Sequence, residues 1–308
     1  MKGLIRREDD EAIRCNGAAD TANLIVIKRM INSFLMIGQS NMAGRGYLSD
    51  VKPIYNEQIK MLINGRWQTM TEPINFDRPT AGISLAALFA AAWQADNEQE
   101  QIGLIPCAEG GSSLDDWSAD GALFEHATFL TKMAQRTSTL RGILWHQGEN
   151  DSFAGRSNEY LDKLALLVDQ LRRLLASPAI PFIAGGLGTY LSSGRYSHYF
   201  AEYENVNQAL LTFAQETPNC YFVSANGLTA NADGLHFDAR SQRLFGIRYY
   251  DAFQTKRHVL APLRDEKERV KRLEERPLTK AESTALLEIS FARGEISLPE
   301  LEERLARI

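Results

Sequence analysis

The sequence predicts a three-layer α/β fold, with a parallel sheet of about five strands between two layers of helices. The first observation is a series of short apolar runs, each typical of a buried strand. The second is that segments with apolar residues at helical spacing lie between these runs. The third is the composition of the 308-residue chain, which is 44% hydrophobic and 24% charged and is therefore suited to a large core. Such alternation indicates a flavodoxin-like parallel sheet that is covered on both faces.

The predicted elements alternate along the middle of the chain. The strands are Ser33–Gly38, Ile102–Pro106, Gly142–Trp145, Pro181–Leu187 and Tyr221–Ser224. The helices are Ile83–Ala95, Ala122–Thr139, Tyr160–Leu175, Tyr203–Gln215 and Arg240–Phe253. Two further apolar runs, Ile59–Ile63 and Trp67–Met70, flank Asn64-Gly65, which is a strong hairpin signal.

The chain divides into three regions. Residues 1–29 are interpreted as an N-terminal extension, either disordered or preceding the true start at Met30. Residues 30–257 contain the predicted strands and helices and form the predicted main domain. Residues 258–308 are a predicted C-terminal tail, because charge density rises sharply near residue 256, and 23 of the 53 residues from there onward are charged.

The tail is expected to form a helical hairpin with solvated faces. Pro277 and Gly294 break the helical pattern, and Thr279 and Ser297 are candidate helix caps. A second interpretation stays open, in which the tail docks onto the body or makes a homo-oligomer by docking onto a second subunit.

Composition excludes several classes of protein. The net charge of −5 argues against a nucleic-acid partner held by phosphate neutralisation, and no segment approaches the roughly 18–20 apolar residues of a membrane span. Cys15, Cys107 and Cys220 are far apart, so they predict neither a disulfide framework nor a metal pair. We predict no metal, no cofactor and no membrane partner. The unpaired cysteines and the short N-terminal apolar run predict a cytoplasmic location.

Small, polar and titratable residues follow each predicted strand. Ligands of such sheets bind beyond the carboxyl ends of the strands, and the turns there contain GQSNMAGRG, CAEGGSS, HQGEND, GGLG and DGLHF. Ser40 is a candidate nucleophile, because a serine on a strand-to-helix turn is activated when a base takes its proton. His236 is the candidate base, and Asp233 lies three residues before it. The amides of Gly110 or Gly111, with a side-chain amide, are candidates for an oxyanion hole.

Four blocks, GQSNMAGRG, EGGSSLDDW, WHQGEND and DGLHF, resemble the four blocks of the SGNH hydrolases. More narrowly, they resemble the sialate O-acetylesterase and acetylxylan-esterase-related branch, the sixth carbohydrate-esterase family. The order and spacing are similar from about Phe34 to Phe253. The resemblance implies an SGNH hydrolase catalytic domain over residues 30–257. It also implies a serine esterase that removes acetyl groups from O-acetylated sugars or oligosaccharides through an acyl-enzyme, without a cofactor.

The resemblance also implies roles for individual residues. Ser40 would be the nucleophile, His236 the general base and Asp233 the group that orients the histidine. The oxyanion donors would be the N–H of Ser40, the N–H of Gly111 or Gly110, and a side-chain amide. The third block reads HQGE where an Asn is usual, so that amide is assigned to Gln147, with Asn150 as a rival. The supporting residues of these blocks are Gln39, Asn41, Glu149 and Asn150, of which Glu149 is expected to buttress the Ser40 loop.

Two other functions remain open at this point: an esterase or thioesterase for another small acyl ester, and a non-catalytic carbohydrate-binding module. Arg45 is assigned either to substrate or to an internal ion pair. Trp117, Tyr190 and Tyr196 lie in loops after the strands, where aromatic rings either stack on a sugar or pack internally.

Overall fold

A computed structural model of the protein describes residues 30–308, so the interpretation of residues 1–29 lies outside the described residues. The strands are β1 (Ile31–Gly38), β2 (Ile59–Ile63), β3 (Arg66–Thr69), β4 (Gln101–Pro106), β5 (Ser138–His146), β6 (Phe182–Gly185) and β7 (Cys220–Val223). The helices are α1 (Ser40–Ala43), α2 (Leu85–Asp96), α3 (Ala122–Ala134), α4 (Tyr160–Leu174), α5 (Tyr203–Glu216), α6 (Ala239–Thr255), α7 (Glu266–Glu274), α8 (Lys280–Ala292) and α9 (Leu298–Leu305).

The strands form one sheet in the order β3-β2-β4-β1-β5-β6-β7. Every neighbouring pair is parallel except β2 with β3 at one edge. All five predicted strands are present and parallel, and the predicted hairpin forms β2 and β3. The first strand of that hairpin also pairs with β4 and adds a sixth parallel strand. The hairpin signal is local, and it contains no information about this pairing with a strand some forty residues later.

Helices cover both faces of the sheet, as the flavodoxin-like prediction requires. Phe34 and Met36 of β1 belong to a core that contains α2 and α6, while Leu35 and Ile37 belong to a second core with α3, α4 and α5. Alternate side chains of a strand point to opposite faces. The continuous apolar run of β1 therefore reflects burial on both faces.

A close backbone approach fixes the end of β1. Gly38 has φ +131°, and a Cβ there would lie 2.1 Å from the carbonyl oxygen of His146 on β5. Only glycine fits this contact. The chain can then turn at Gln39 into α1, which begins with Ser40.

The tail is helical as predicted, and its three helices are separated at Pro277 and Gly294. The predicted caps are confirmed: Thr279 makes a capping box with Glu282 at the start of α8, and Ser297 caps α9. The side chains of Val270 and Leu273 on α7 pack against the core that contains α2 and α6. Among residues 30–308, no helix is long and apolar enough to cross a membrane. The boundaries at 29/30 and 257/258 stay predictions.

Candidate active site

The carboxyl ends of the central strands open onto a cavity of about 860 Å³. Its lining contains nine of the residues that the sequence singled out, namely Gln39, Ser40, Arg45, Gly110, Gly111, Glu149, Asn150, Asp233 and His236. The polar turns that follow separate strands therefore meet at one place.

The structure brings Ser40, His236 and Asp233 into one hydrogen-bonded series. His236 Nε2 lies 3.0 Å from Ser40 Oγ, and His236 Nδ1 lies 2.7 Å from Asp233 Oδ2. A carboxylate at Nδ1 favours the tautomer that carries its proton there, which leaves Nε2 as an acceptor for the serine hydroxyl. The arrangement can therefore activate Ser40 as a nucleophile.

Asp233 is held as a carboxylate by its own turn. Its Oδ1 accepts hydrogen bonds from the backbone N–H groups of Leu235 and His236 at 2.9 and 3.0 Å. Partial burial raises the pKa of Asp233, but these backbone donors and the His236 ring outweigh burial, so the pKa lies below its ordinary value. A negative charge beside the imidazole stabilises the imidazolium that forms when the ring takes a proton.

The His236 loop is tied to the Ser40 helix. The backbone N–H of Phe237 donates to Asn41 Oδ1 at 3.0 Å, and Gln242 of α6 donates to the carbonyl oxygen of Asn41 at 3.0 Å. Asp238 caps the following helix through the N–H of Ser241. Asn41 therefore couples the two chain segments that carry Ser40 and His236.

Two buried side chains fix the floor of the cavity. Asn41 Nδ2 donates to Glu149 Oε1 at 2.5 Å, which is the buttress that the sequence predicted for Glu149. Gln39 Oε1 accepts from the N–H groups of Gly148 and Asn150 at 3.2 and 3.4 Å. These bonds join the turn after β1 to the turn after β5.

Of the two candidate glycines, the structure leaves Gly111 available as a donor. The N–H of Gly110 already donates to Asp77 Oδ2 at 3.0 Å, which removes it as an oxyanion donor. Gly111 has φ +84°, and within residues 30–308 neither its N–H nor that of Ser40 has a hydrogen-bond acceptor. Asn150 Nδ2 donates one hydrogen to Gly111 O at 2.7 Å and has a second hydrogen to give.

Gln147 is not brought to the cavity, which corrects its assignment as the side-chain amide. The residue is fully buried, and its Nε2 donates to Ser112 O at 3.1 Å and to a carboxylate oxygen of Asp151. Asn150, the rival donor, lines the cavity instead. The direction in which the chain turns after β5 determines whether Gln147 or Asn150 reaches the cavity. The sequence blocks do not specify that direction.

Residues 75–78 hold the glycine turn, a role that no sequence pattern indicated. Asn75 and Ala108 exchange two hydrogen bonds, of 2.9 and 3.2 Å. Asp77 pairs with Arg45 at 2.5 Å, which makes Arg45 an internal ion pair, and Arg78 donates to Gly110 O at 2.8 Å. No motif in this segment signals these contacts, because they form only when the loop before α2 folds over the turn.

The loop aromatics that the sequence offered for sugar stacking are largely engaged within the protein. Trp117 is buried and donates to Ser112 Oγ at 3.0 Å, and the Tyr190 ring packs edge-to-face on Phe237. Tyr196 lies under the guanidinium of Arg195, 5.6 Å from the ring centroid. His146 is also buried, with Nε2 3.3 Å from Gly186 O.

A parallel α/β sheet with a serine, a histidine and a carboxylate at its carboxyl edge is typical of ester hydrolases. Comparison with known proteins defines the family. A family model described as carbohydrate esterase, sialic acid-specific acetylesterase, matches residues 30–255. The chain belongs to this family of carbohydrate esterases, and the resemblance seen in the sequence blocks is confirmed.

Individual relatives agree with this membership. A probable carbohydrate esterase of Arabidopsis thaliana is 27% identical in an alignment of 244 residues that covers 71% of this chain and 89% of the relative. The X-ray structure of that Arabidopsis protein has a TM-score of 0.65 at 26% identity, covering 73% of this chain and 98% of the other. The crystal structure of NanS shares the fold, with a TM-score of 0.61, 17% identity, and coverage of 74% and 98%.

Proposed function

We propose that this carbohydrate esterase removes acetyl groups from O-acetylated sugars with Ser40 as nucleophile, His236 as general base and Asp233 as the orienting carboxylate. The observation that supports the proposal most directly is the distance of 3.0 Å between Ser40 Oγ and His236 Nε2, on a ring whose other nitrogen lies 2.7 Å from Asp233. Nucleophile, base and orienting group are thus within hydrogen-bond reach of one another.

In the first half of the reaction, Ser40 Oγ forms a bond to the acetyl carbonyl carbon while its proton moves to His236 Nε2. The carbonyl oxygen becomes an oxyanion, which the N–H groups of Ser40 and Gly111 and the Asn150 amide stabilise. The bond between the carbonyl carbon and the sugar oxygen then breaks, and the imidazolium gives its proton to that oxygen. The sugar leaves as an alcohol, and Ser40 stays acetylated.

In the second half, water replaces the sugar. His236 Nε2 takes a proton from the water as its oxygen attacks the acetyl carbonyl carbon, and the same three donors stabilise the second oxyanion. The bond to Ser40 Oγ breaks, and His236 returns the proton to it. Acetate leaves, and every group is restored.

Arg78 supports an acidic sugar as the substrate, in agreement with the family's description. Among the described residues that line the cavity, Arg45 is neutralised by Asp77, whereas Arg78 is exposed and has no carboxylate partner. A guanidinium has five donors, so Arg78 can bind a sugar carboxylate while donating to Gly110 O. We expect Arg78→Ala to raise KM for an acetylated sialic acid by about tenfold or more. The change in KM for an acetylated neutral sugar should be several-fold smaller, because that sugar loses no ionic contact and is affected only through the bond from Arg78 to Gly110 O; equal changes for both sugars would contradict the assignment.

The test of the proposed function is acetate release by wild type and Ser40→Ala, on acetylated sugars and on p-nitrophenyl acetate. We expect Ser40→Ala to lower kcat by a factor of about 10⁴ or more. Ser177→Ala, which alters a serine at the opposite edge of the sheet, is the matched control and should keep wild-type activity.

Each alternative function has its own outcome. Activity on the aryl acetate alone would indicate that the substrate is another small acyl ester and not an acetylated sugar. Binding of acetylated sugars without any acetate release would indicate the non-catalytic carbohydrate-binding module.

A further inference from the structure

Two exposed aromatic rings stand beside the cavity although neither was singled out by the sequence. Phe153 is 43% exposed and Tyr199 is 49% exposed, and their ring centroids lie 5.6 Å apart. The His198 ring lies 3.8 Å from the Tyr199 ring. We refer to Phe153, His198 and Tyr199 as the aromatic platform. Contiguous exposed apolar surface of this kind marks a binding site more often than a solitary exposed ring does.

The platform lies next to the wall of the cavity along the chain. Phe200, the residue after Tyr199, lines the cavity, and so does Asn150, which lies three residues before Phe153. Phe153, His198 and Tyr199 are not themselves among the lining residues. A ligand that fills the cavity would therefore reach the rings where it continues past Asn150 or Phe200.

The platform is held by bonds from both of its chain segments. The carbonyl oxygen of buried Ser152 accepts from the N–H of Glu202 at 3.0 Å. The Glu202 carboxylate in turn accepts from Gly155 N–H at 2.8 Å and from Ser157 Oγ at 2.7 Å. These bonds lower the pKa of Glu202, with the Ser157 hydroxyl as the largest cause, so the Glu202 side chain stays a carboxylate. These bonds join the two chain segments that carry Phe153 and Tyr199, and a backbone that is fixed before a ligand arrives reduces the entropy cost of binding.

We propose that the aromatic platform is a subsite for a second sugar ring, so that the preferred substrate is an acetylated oligosaccharide rather than a monosaccharide. The proposal rests on the proposed function, because it assumes that the ester-bearing sugar occupies the cavity. The apolar C–H face of a pyranose stacks on the rings, and its hydroxyls meet the polar tips of Tyr199 and His198. This contact is remote from the reacting carbonyl, so it contributes equally to ground state and transition state.

Kinetics on three substrates test the subsite: an acetylated oligosaccharide, the matching acetylated monosaccharide and p-nitrophenyl acetate. We expect Phe153→Ala and Tyr199→Ala each to raise KM for the oligosaccharide about three- to tenfold with kcat unchanged. The two smaller substrates should show no change in KM. Phe129→Ala removes a ring that is 66% exposed on α3 and serves as the matched control.

Calorimetric titration of wild type and Tyr199→Ala with the deacetylated oligosaccharide decides the subsite independently of catalysis. Weaker binding by the variant supports the platform even when wild type releases no acetate, an outcome that defeats only the proposed function. Equal affinity for the oligosaccharide, or KM raised equally for all three substrates, overturns the subsite. A loss of dimer on Tyr199→Ala in sedimentation, with sugar affinity unchanged, would also overturn it and reassign the rings to a contact between two copies of the chain.

Discussion

The carboxyl edge of the sheet and the junction between α6 and the tail both contain buried polar groups, but the two regions differ in how those groups are paired. At the junction, the guanidinium of Arg248 makes two bonds of 2.7 Å to Glu266 and further bonds to the carbonyl oxygens of Ser224 and Asn226. At the carboxyl edge, the N–H groups of Ser40 and Gly111 have no acceptor within residues 30–308.

This difference separates groups that hold the fold from groups that await a ligand. Donors that face a cavity and have no acceptor in the protein are available to a ligand atom, whereas donors that already have acceptors hold the fold. Four of the five donors of the Arg248 guanidinium at the junction already have acceptors within the protein. Changes at the junction should therefore alter stability with little effect on turnover, and changes at the carboxyl edge should do the reverse.

The largest expected effect is on stability. Glu266→Ala leaves the buried guanidinium of Arg248 without its carboxylate, which should lower the free energy of unfolding by about 3–5 kcal/mol. Chemical denaturation measures this change, and kcat measured below the transition should stay within twofold of wild type. Arg173→Ala breaks an exposed ion pair with Asp169 and should cost less than about 1 kcal/mol. Equal losses for the two variants would contradict the comparison.

Next in size is the effect of removing an oxyanion donor. Asn150→Ala should lower kcat by about 10²–10³, equivalent to about 2.7–4 kcal/mol, while the melting temperature changes little. Gln147→Ala should instead lower the melting temperature and leave kcat nearly unchanged, because the Gln147 amide donates to Ser112 O and Asp151 inside the protein. If Gln147→Ala lost more kcat than Asn150→Ala, the side-chain donor would be Gln147, as the sequence blocks indicated.

The smallest expected effect is a pH dependence that originates at His146. Burial lowers the pKa of this histidine, against the opposing charge of Glu149. Below the unfolded pKa of about 6.5, the unfolded chain takes up a proton that the native ring does not. Stability is therefore lost as pH falls from that value toward the folded pKa, by at most about 1.4 kcal/mol per pH unit. His146→Gln removes this contribution, so its unfolding free energy should fall less steeply below pH ~6.5; equal slopes for variant and wild type would contradict the account.

The sequence predicted the residues that meet at the carboxyl edge of the sheet better than the loop contacts that hold them in place. Ser40, Asp233 and His236 lie in short polar blocks directly after strands, and parallel strands bring their carboxyl ends together, so their convergence follows from the fold class. The contacts of Asn75 and Asp77 with the glycine turn depend on how a loop folds over its neighbour, which no local pattern specifies.

Two further features also depend on contacts between segments that are distant in sequence. The parallel pairing of β2 with β4 joins segments that are distant in sequence, and a hairpin signal describes only the turn. The aromatic platform lies on two loops that Glu202 joins, and the residues that flank each ring in the sequence contain no sign of that contact.

The most direct test of the central claim is to locate the acetyl group during turnover. Wild type is mixed with p-nitrophenyl acetate, quenched with acid within the first turnovers and digested, and its peptides are examined by mass spectrometry. The account predicts one added acetyl group on the peptide that contains Ser40, and none in the same experiment with Ser40→Ala. An acetyl group on another residue, or rapid turnover by Ser40→Ala, would contradict it.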